Sequence, residues 1–284
     1  MLMKKKLSKA LQILHQQGMF SGFKYFLFRI LEDKWLFGKL IELRGNTGSL
    51  EGSSFFLDSP YITTRLKSRF LLQTWEVEAR YLMNKYLPND LPLIEFGSNM
   101  GVVSCISNKL LTTRKAHVVV EANKNIIPIL ERNRENNGCR FKIVNAAVAY
   151  GTEEISFYLA PDINEGSTGS TGSTTSQSIT VPTTTLEAIL QQEGFSRVSL
   201  ICDIEGAEMD LLANEGDVLS NRVEWIVMEM HGQEGKAHAY LEALGFDLIE
   251  VFNHNCIYHN HGPMAEKAAT CRKEEHMQVS GCIS

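Results

Sequence analysis

Two short stretches of this 284-residue chain gather the side chains best suited to move a proton. C-D-I-E-G-A-E at 202–208 supplies Asp203, Glu205 and Glu208, and M-E-M-H at 228–231 supplies Glu229 and His231. Each stretch continues an apolar run that reads as a β-strand, so the charges fall at strand carboxyl ends, where open α/β sheets hold ligands. Four carboxylates beside one imidazole favour shifted pKa values and acid/base work. Asp203, Glu205, Glu229 and His231 are therefore the candidate catalytic residues. An unperturbed imidazole titrates at about 6.5, which suits His231 to remove a proton at neutral pH. The same cluster has a competing use, since Asp203, Glu205 and Glu229 could hold Mg²⁺ through oxygen ligands. Glu208 has a plainer explanation, as an acid in the first turn of a helix that complements its dipole.

A second constellation lies upstream. In L-I-E-F-G-S-N-M-G, residues 93–101, a strand runs into Gly97 and a helix starts just after Gly101. Such a turn lets a ligand approach bare backbone and offers it free N–H groups at the helix start. The spacing is not G-x-G-x-x-G, so a pyrophosphate is disfavoured. Glu121 follows 24 positions after Gly97, at the end of V-V-V-E-A-N. A carboxylate there can accept both hydroxyls of a ribose. N-A-A-V at 145–148 ends a third strand on the same side.

These residues need a parallel sheet to bring them together, and the pattern from Leu91 onward supplies one. Apolar runs at 91–96, 117–120, 141–148, 198–202 and 225–228 alternate with helical stretches at 102–111, 125–136, 185–192 and 207–214. Two further β-like runs, 246–252 and 256–259, are separated by hairpin spacing. Ahead of them, Leu66, Phe70, Leu71, Trp75, Ala79, Leu82 and Met83 form one apolar stripe, which predicts a single helix over 61–87 ending before Pro88. Residues 166–178, a run of G-S-T triplets, read as a flexible loop beside the site, and the polar tail from 261 as loose chain.

Composition narrows the class. With 44 % hydrophobic and 21 % charged residues the chain is an ordinary globular one, and no apolar run reaches the roughly 18 residues of a membrane span. A net charge of −5 argues against a dedicated nucleic-acid binder. Six scattered cysteines without a C-x-x-C pair fit neither a zinc site nor a disulfide scaffold, and point to a reducing compartment. Charge is uneven, however: residues 1–45 carry nine bases against three acids. Leu7, Leu11 and Leu14, then Phe23, Phe26, Leu27, Ile30 and Leu31, recur at helical spacing there. The segment is either a helical cap on the main domain or a basic amphipathic element that meets anionic lipid. The expected division is a helical extension at 1–60, a catalytic domain at 61–260 and a tail at 261–284.

E-F-G-S-N-M-G, V-E-A-N, N-R-E-N-N, N-A-A-V, T-T-L-E-A-I-L, D-I-E-G-A-E and M-E-M-H occur in the order and spacing of the FkbM-family methyltransferases. The resemblance covers about residues 75–260, and D-x-E-G-x-E is its most diagnostic block. Two departures, Glu95 where the family usually has Asp and Glu121-Ala122-Asn123 where it has E-P-N, both keep a carboxylate. The resemblance implies a doubly wound, mostly parallel seven-stranded sheet of the Rossmann-like methyltransferase type, here with an N-terminal helical extension. It implies S-adenosylmethionine as cofactor, held by Glu95, Gly97, Ser98, Asn99, Gly101, Glu121, Ala122, Asn123, Asn145, Ala146 and Asp203. It implies O-methyl transfer to a hydroxyl of a glycan sugar or natural-product acceptor. The expected location, from the cysteines and the broken apolar stretch at the start, is the cytoplasm, and residues 1–45, outside the shared region, add peripheral membrane contact as an open possibility. Two other readings share the sheet: a non-catalytic nucleotide-binding module, and an NAD-dependent oxidoreductase, against which Ser98 and Met100 count.

Overall fold

The computed structural model describes residues 35–159 and 177–260. The basic segment before residue 35, most of the G-S-T tract and the polar tail lie outside the described residues. The described chain opens with α1 (Trp35–Leu43), a hairpin of β1 (Thr47–Leu50) and β2 (Ser53–Phe56), then α2 (Thr64–Leu71) and α3 (Val77–Tyr86). The stripe that predicts one helix over 61–87 thus belongs to two. Gln73 and Glu76 take φ of 60° and 43°, which a right-handed helix cannot absorb. Arg80 holds the break, its Nε donating to the Trp75 carbonyl at 2.8 Å and Nη2 to that of Gln73 at 3.1 Å. The stripe misleads because both helices bury the same side, with Leu66, Phe70, Trp75 and Leu82 all in the core.

Next come β3 (Leu93–Phe96), α4 (Val102–Leu110), β4 (His117–Val120), α5 (Ile127–Asn136), β5 (Lys142–Val144), β6 (Ala147–Val148), β7 (Glu154–Leu159) and β8 (Gln177–Thr184). The chain continues with α6 (Leu186–Glu193), β9 (Val198–Cys202), α7 (Glu208–Arg222), β10 (Val223–Glu229), α8 (Glu234–Ala243), β11 (Phe246–Phe252) and β12 (Asn255–Asn260). Seven strands form one sheet in the order β11-β12-β10-β9-β3-β4-β5. It is parallel from β10 to β5, while β12 runs antiparallel to both its neighbours. This is the doubly wound sheet with a terminal hairpin that the sequence pattern predicts. The expected strand at 141–148 breaks at Asn145, whose Nδ2 donates to the carbonyls of Glu121 and Ala122 at 2.7 and 3.2 Å. Its second half, β6, joins β7 and β8 in a separate three-stranded sheet that the sequence reading does not anticipate.

Side chains alternate across the sheet and feed two apolar layers. Ile94, Phe96, Val118, Val120, Leu200 and Ile226 face α6–α8, while Leu93, Val119, Ile201 and Val227 face α3–α5. Ile41, Leu50, Phe55 and Leu57 join the second layer, so residues 35–60 share the core of the sheet. Polar ties fix them there. Asn133 of α5, fully buried, accepts from the Phe56 backbone N–H at 2.7 Å and donates to the Met100 carbonyl at 3.0 Å. Asn137 both accepts from the Ser54 backbone N–H and donates to its carbonyl. The N-R-E-N-N motif therefore clamps the β1–β2 hairpin to the loop that follows β3.

Helix α7, expected to stop at Asn214, runs to Arg222 through a bend at Glu215, where φ is −122°. The bend turns the buried Glu215 carboxylate onto the start of α6. There it accepts the N–H groups of Leu186 and Glu187 and the Tyr150 hydroxyl, each at 2.7 Å. Four of the cysteines, Cys105, Cys139, Cys202 and Cys256, are buried free thiols. No helix among the described residues is long and apolar enough to cross a membrane.

Candidate active site

The carboxyl ends of β3, β4, β9 and β10 open onto two adjoining cavities. The glycine turn separates them. Gly97 sits at φ 81°, and a Cβ there would collide with the Asp203 carbonyl oxygen, so the loops after β3 and β9 pass at backbone contact. Asn99, at φ 52°, points its N–H at Glu121 Oε2, 2.7 Å away, and the Asn123 N–H reaches Oε1 at 2.8 Å. Gly101, at φ 83°, caps α4 against Leu130. Burial pushes the Glu121 carboxyl up to about 7, against the downward pull of the Asn123 and Asn99 N–H groups.

The smaller cavity, about 80 Å³, has Glu121 and Asn99 on one wall and Ala122, Ala146, Phe157 and Ile204 on others. That is an apolar slot ending in a carboxylate with lone pairs to spare, the complement of a flat base carrying a diol. Phe157 comes from β7, and sequence reasoning missed it, although E-I-S-F-Y-L alternates as a strand should. Asn145 lines neither cavity. It shapes the slot by holding the backbone of residues 121 and 122, while Asn123 lines the slot and accepts from the Asn125 N–H at 3.1 Å.

The larger cavity, about 390 Å³, is acidic. Asp203, Glu205, Glu229 and His231 meet there as expected, with Glu95 and Ser98 beneath the turn. His231 is bracketed: Nδ1–H donates to Glu208 Oε1 at 2.9 Å, and Nε2 lies 3.2 Å from Glu205 and 3.8 Å from Asp203. Glu208, read from sequence as a helix-dipole residue, thus orients the imidazole. Burial pulls the His231 pKa down, but the Glu208 bond and the Glu205 charge outweigh it and lift the value to about 9. The imidazole therefore carries its proton at neutral pH, unlike the unshifted group that the sequence argument assumed. Glu205 rises to about 7, through burial and the Glu229 charge against the attraction of His231. Asp203 rises well above the usual carboxylate range, through burial first and then Glu229.

Glu76 is the second residue that sequence reasoning missed. It lies in the break between α2 and α3, at φ 43°, and lines this cavity. Oxygens of Glu76, Asp203 and Glu229 lie within 4.8 Å of one another, as do donor atoms of Asp203, Glu205 and His231. The triad expected from sequence, Asp203 with Glu205 and Glu229, is thus divided between two groups that share Asp203. Glu95 accepts from Ser104 Oγ at 2.9 Å, and its other oxygen lies 3.5 Å from His117 Nε2.

Ser98 Oγ and Asp203 Oδ1 are buried without a hydrogen-bond partner, and both residues line the larger cavity. Together with the diol-complementary slot next door and the negative charge around it, they fit a nucleoside bearing a polar, cationic extension, as S-adenosylmethionine is.

Residues 95–251 match the family model described as the methyltransferase FkbM domain. No curated protein matches the chain. Similar solved structures include a protein in the NADB-Rossmann superfamily from Streptococcus agalactiae, at 14 % identity over 66 % of this chain and 69 % of that one, with a TM-score of 0.42. Fibrillarin from Aeropyrum pernix, in complex with natively bound S-adenosyl-L-methionine, is 10 % identical over 64 % and 73 %, with a TM-score of 0.39. Magnesium protoporphyrin IX methyltransferase from Synechocystis PCC 6803, with bound SAM, is 9 % identical over 66 % and 76 %, with a TM-score of 0.39. Likenesses this distant bear on neither site nor substrate. The family match spans more than half of the chain and takes in the glycine turn, Glu121 and both acidic strand ends, so the chain belongs to the FkbM methyltransferase domain family and is an S-adenosylmethionine-dependent methyltransferase.

Proposed function

We propose that the enzyme methylates a hydroxyl of a sugar unit or natural-product acceptor bound in the larger cavity. The observation that carries this reading is the meeting of Asp203, Glu205, Glu229 and His231 beside the slot that ends in Glu121. Such a cavity is rich in acceptors for hydroxyl donors and repels anions. The cofactor would be held by Gly97, Ser98, Asn99, Gly101 and Ala122 around the turn, by Glu121 on its ribose, and by Ala146 in the slot. Asn123 lines that slot and Asn145 fixes its backbone, while Asp203 borders both cavities and Glu95 lines the larger one.

When bound, the cofactor supplies an electrophilic methyl on sulfur. Transfer of that methyl to the hydroxyl oxygen would leave the electron pair of the C–S bond on sulfur and would require the protein to take the hydroxyl proton. His231 already holds a proton at neutral pH, so Glu205, titrating near 7 and 3.2 Å from the imidazole, is the group placed to receive it. His231 then keeps Glu205 oriented and balances the charge. Turnover with labelled cofactor on glycan and lipid extracts tests this. Glu205→Gln should lower kcat by about 100-fold with S-adenosylhomocysteine affinity within a few-fold. Near-normal turnover in that variant would move the role to Glu229.

A second reading is favoured by the oxygen-only group Glu76, Asp203 and Glu229, which suits a divalent cation such as Mg²⁺. Held there, the ion would lower the hydroxyl pKa. Loss of activity with EDTA, restored by Mg²⁺, is its test.

A further inference from the structure

We propose that the outward face of α1 docks the enzyme on an anionic lipid surface. The helix is two-faced in the inverted sense. Its inner side is fixed by three contacts: Gly38, where a Cβ would collide with the Thr64 carbonyl oxygen; Ile41, in the core; and Glu42, which accepts from Thr64 Oγ1 at 2.7 Å. With that side pinned to α2, Trp35, Leu36, Leu40 and Leu43 must face away. They are 64, 59, 36 and 83 % exposed.

A surface helix ordinarily turns polar residues outward. Scattered exposed leucines need no explanation, but here one nine-residue helix holds four of the eight large apolar side chains found exposed among the described residues. Lys39 is the one base on this face, its Nζ 5.2 Å from the Trp35 ring centre and paired with Glu42. Arg44 follows at the helix end. A tryptophan with flanking bases on an apolar stripe is the composition of a helix lying in the headgroup layer.

Charge selects lipid over the other candidates. Residues 1–45 hold nine bases against three acids, in a chain of net charge −5. A second copy carries the same excess of bases, whereas an anionic bilayer offers the opposite charge. Helix α1 packs on α2, and Arg69 of α2 lines the larger cavity, so the docking helix and the cavity share one neighbouring element.

The test uses the full chain with phosphatidylglycerol-rich and phosphatidylcholine vesicles. Co-sedimentation should favour the anionic vesicles and weaken with salt. Trp35 emission should shift to the blue on binding, a signal absent in Trp35→Phe. The triple variant Leu36→Gln, Leu40→Gln, Leu43→Gln should bind vesicles at least about tenfold more weakly with an unchanged thermal midpoint, since these side chains face outward. Absence of vesicle binding by the intact protein overturns the proposal, as does equal binding by the triple variant. A dimer in solution that the triple variant dissolves would assign the face to a second copy instead. A midpoint lowered by several degrees would assign it to the enzyme's own chain. Titration of the same samples with S-adenosylhomocysteine reads the cofactor site separately, so failure of docking and failure of the methyl-transfer reading remain distinguishable.

Discussion

Replacing Glu121 by Gln should change how stability depends on pH, by an amount that follows from its burial. The carboxylate is 7 % exposed and titrates at about 7, against an ordinary value of 4.5. A carboxyl whose folded pKa is raised favours the folded state most when protonated, so its contribution falls as pH climbs from 4.5 through 7. Linkage puts the cost of the buried charge at about 1 kcal/mol at pH 5.5 and about 3 kcal/mol at pH 8, a change of about 2 kcal/mol across the interval. Glu121→Gln carries no such cost at either pH. Asp203, Glu205 and His231 titrate in both proteins and cancel in the comparison. Urea unfolding of the ligand-free proteins at the two pH values should therefore show the variant gaining about 2 kcal/mol on the wild type as pH rises. Ribose hydroxyls donate to the ionised form, so wild-type affinity for S-adenosylhomocysteine should rise over the same range. The affinity of the variant should stay low and flat. Parallel stability profiles, within about 0.5 kcal/mol, would refute the buried-charge argument.

Other perturbations read other parts of the site. Gly97→Ala, which drives a methyl group into the Asp203 carbonyl, should lower stability by about 1–3 kcal/mol and S-adenosylhomocysteine affinity by at least about tenfold, measured by calorimetry. Glu215→Ala leaves two N–H groups at the start of α6 and the Tyr150 hydroxyl without their acceptor, and should cost about 3 kcal/mol or more in urea unfolding. If the cation reading holds, Glu76→Gln should raise the Mg²⁺ concentration needed for half-maximal turnover by about tenfold at unchanged cofactor affinity.

The parallel sheet was legible because its strands are short apolar runs with no period of their own, set between helices with a clear one. The strand ends followed, and with them Gly97, Glu121, Asp203, Glu205, Glu229 and His231. Glu76 was hidden because the break that exposes it costs two positive φ angles without disturbing the apolar spacing on either side. Phe157 was hidden because β7 and β8 flank a low-complexity tract and β8 carries Pro182, a residue that argues against a strand. The state of His231 was beyond the sequence for another reason: its pKa is set by Glu208, which lies 23 positions away and looks sufficient as a helix-start charge.

The clamp made by Asn133 and Asn137 bears on how the enzyme can be divided. The family match begins at residue 95, yet Asn133 spans from the glycine turn to the Phe56 backbone, and Asn137 is spent on Ser54. A chain shortened to begin at 61 would strip both amides of their hairpin partners, at about 1–3 kcal/mol for each buried group left unsatisfied. It would also uncover the apolar floor now sealed by Leu50, Phe55 and Leu57. The hairpin is therefore a structural companion of the cofactor turn, and any trimming of this domain has to carry the two together.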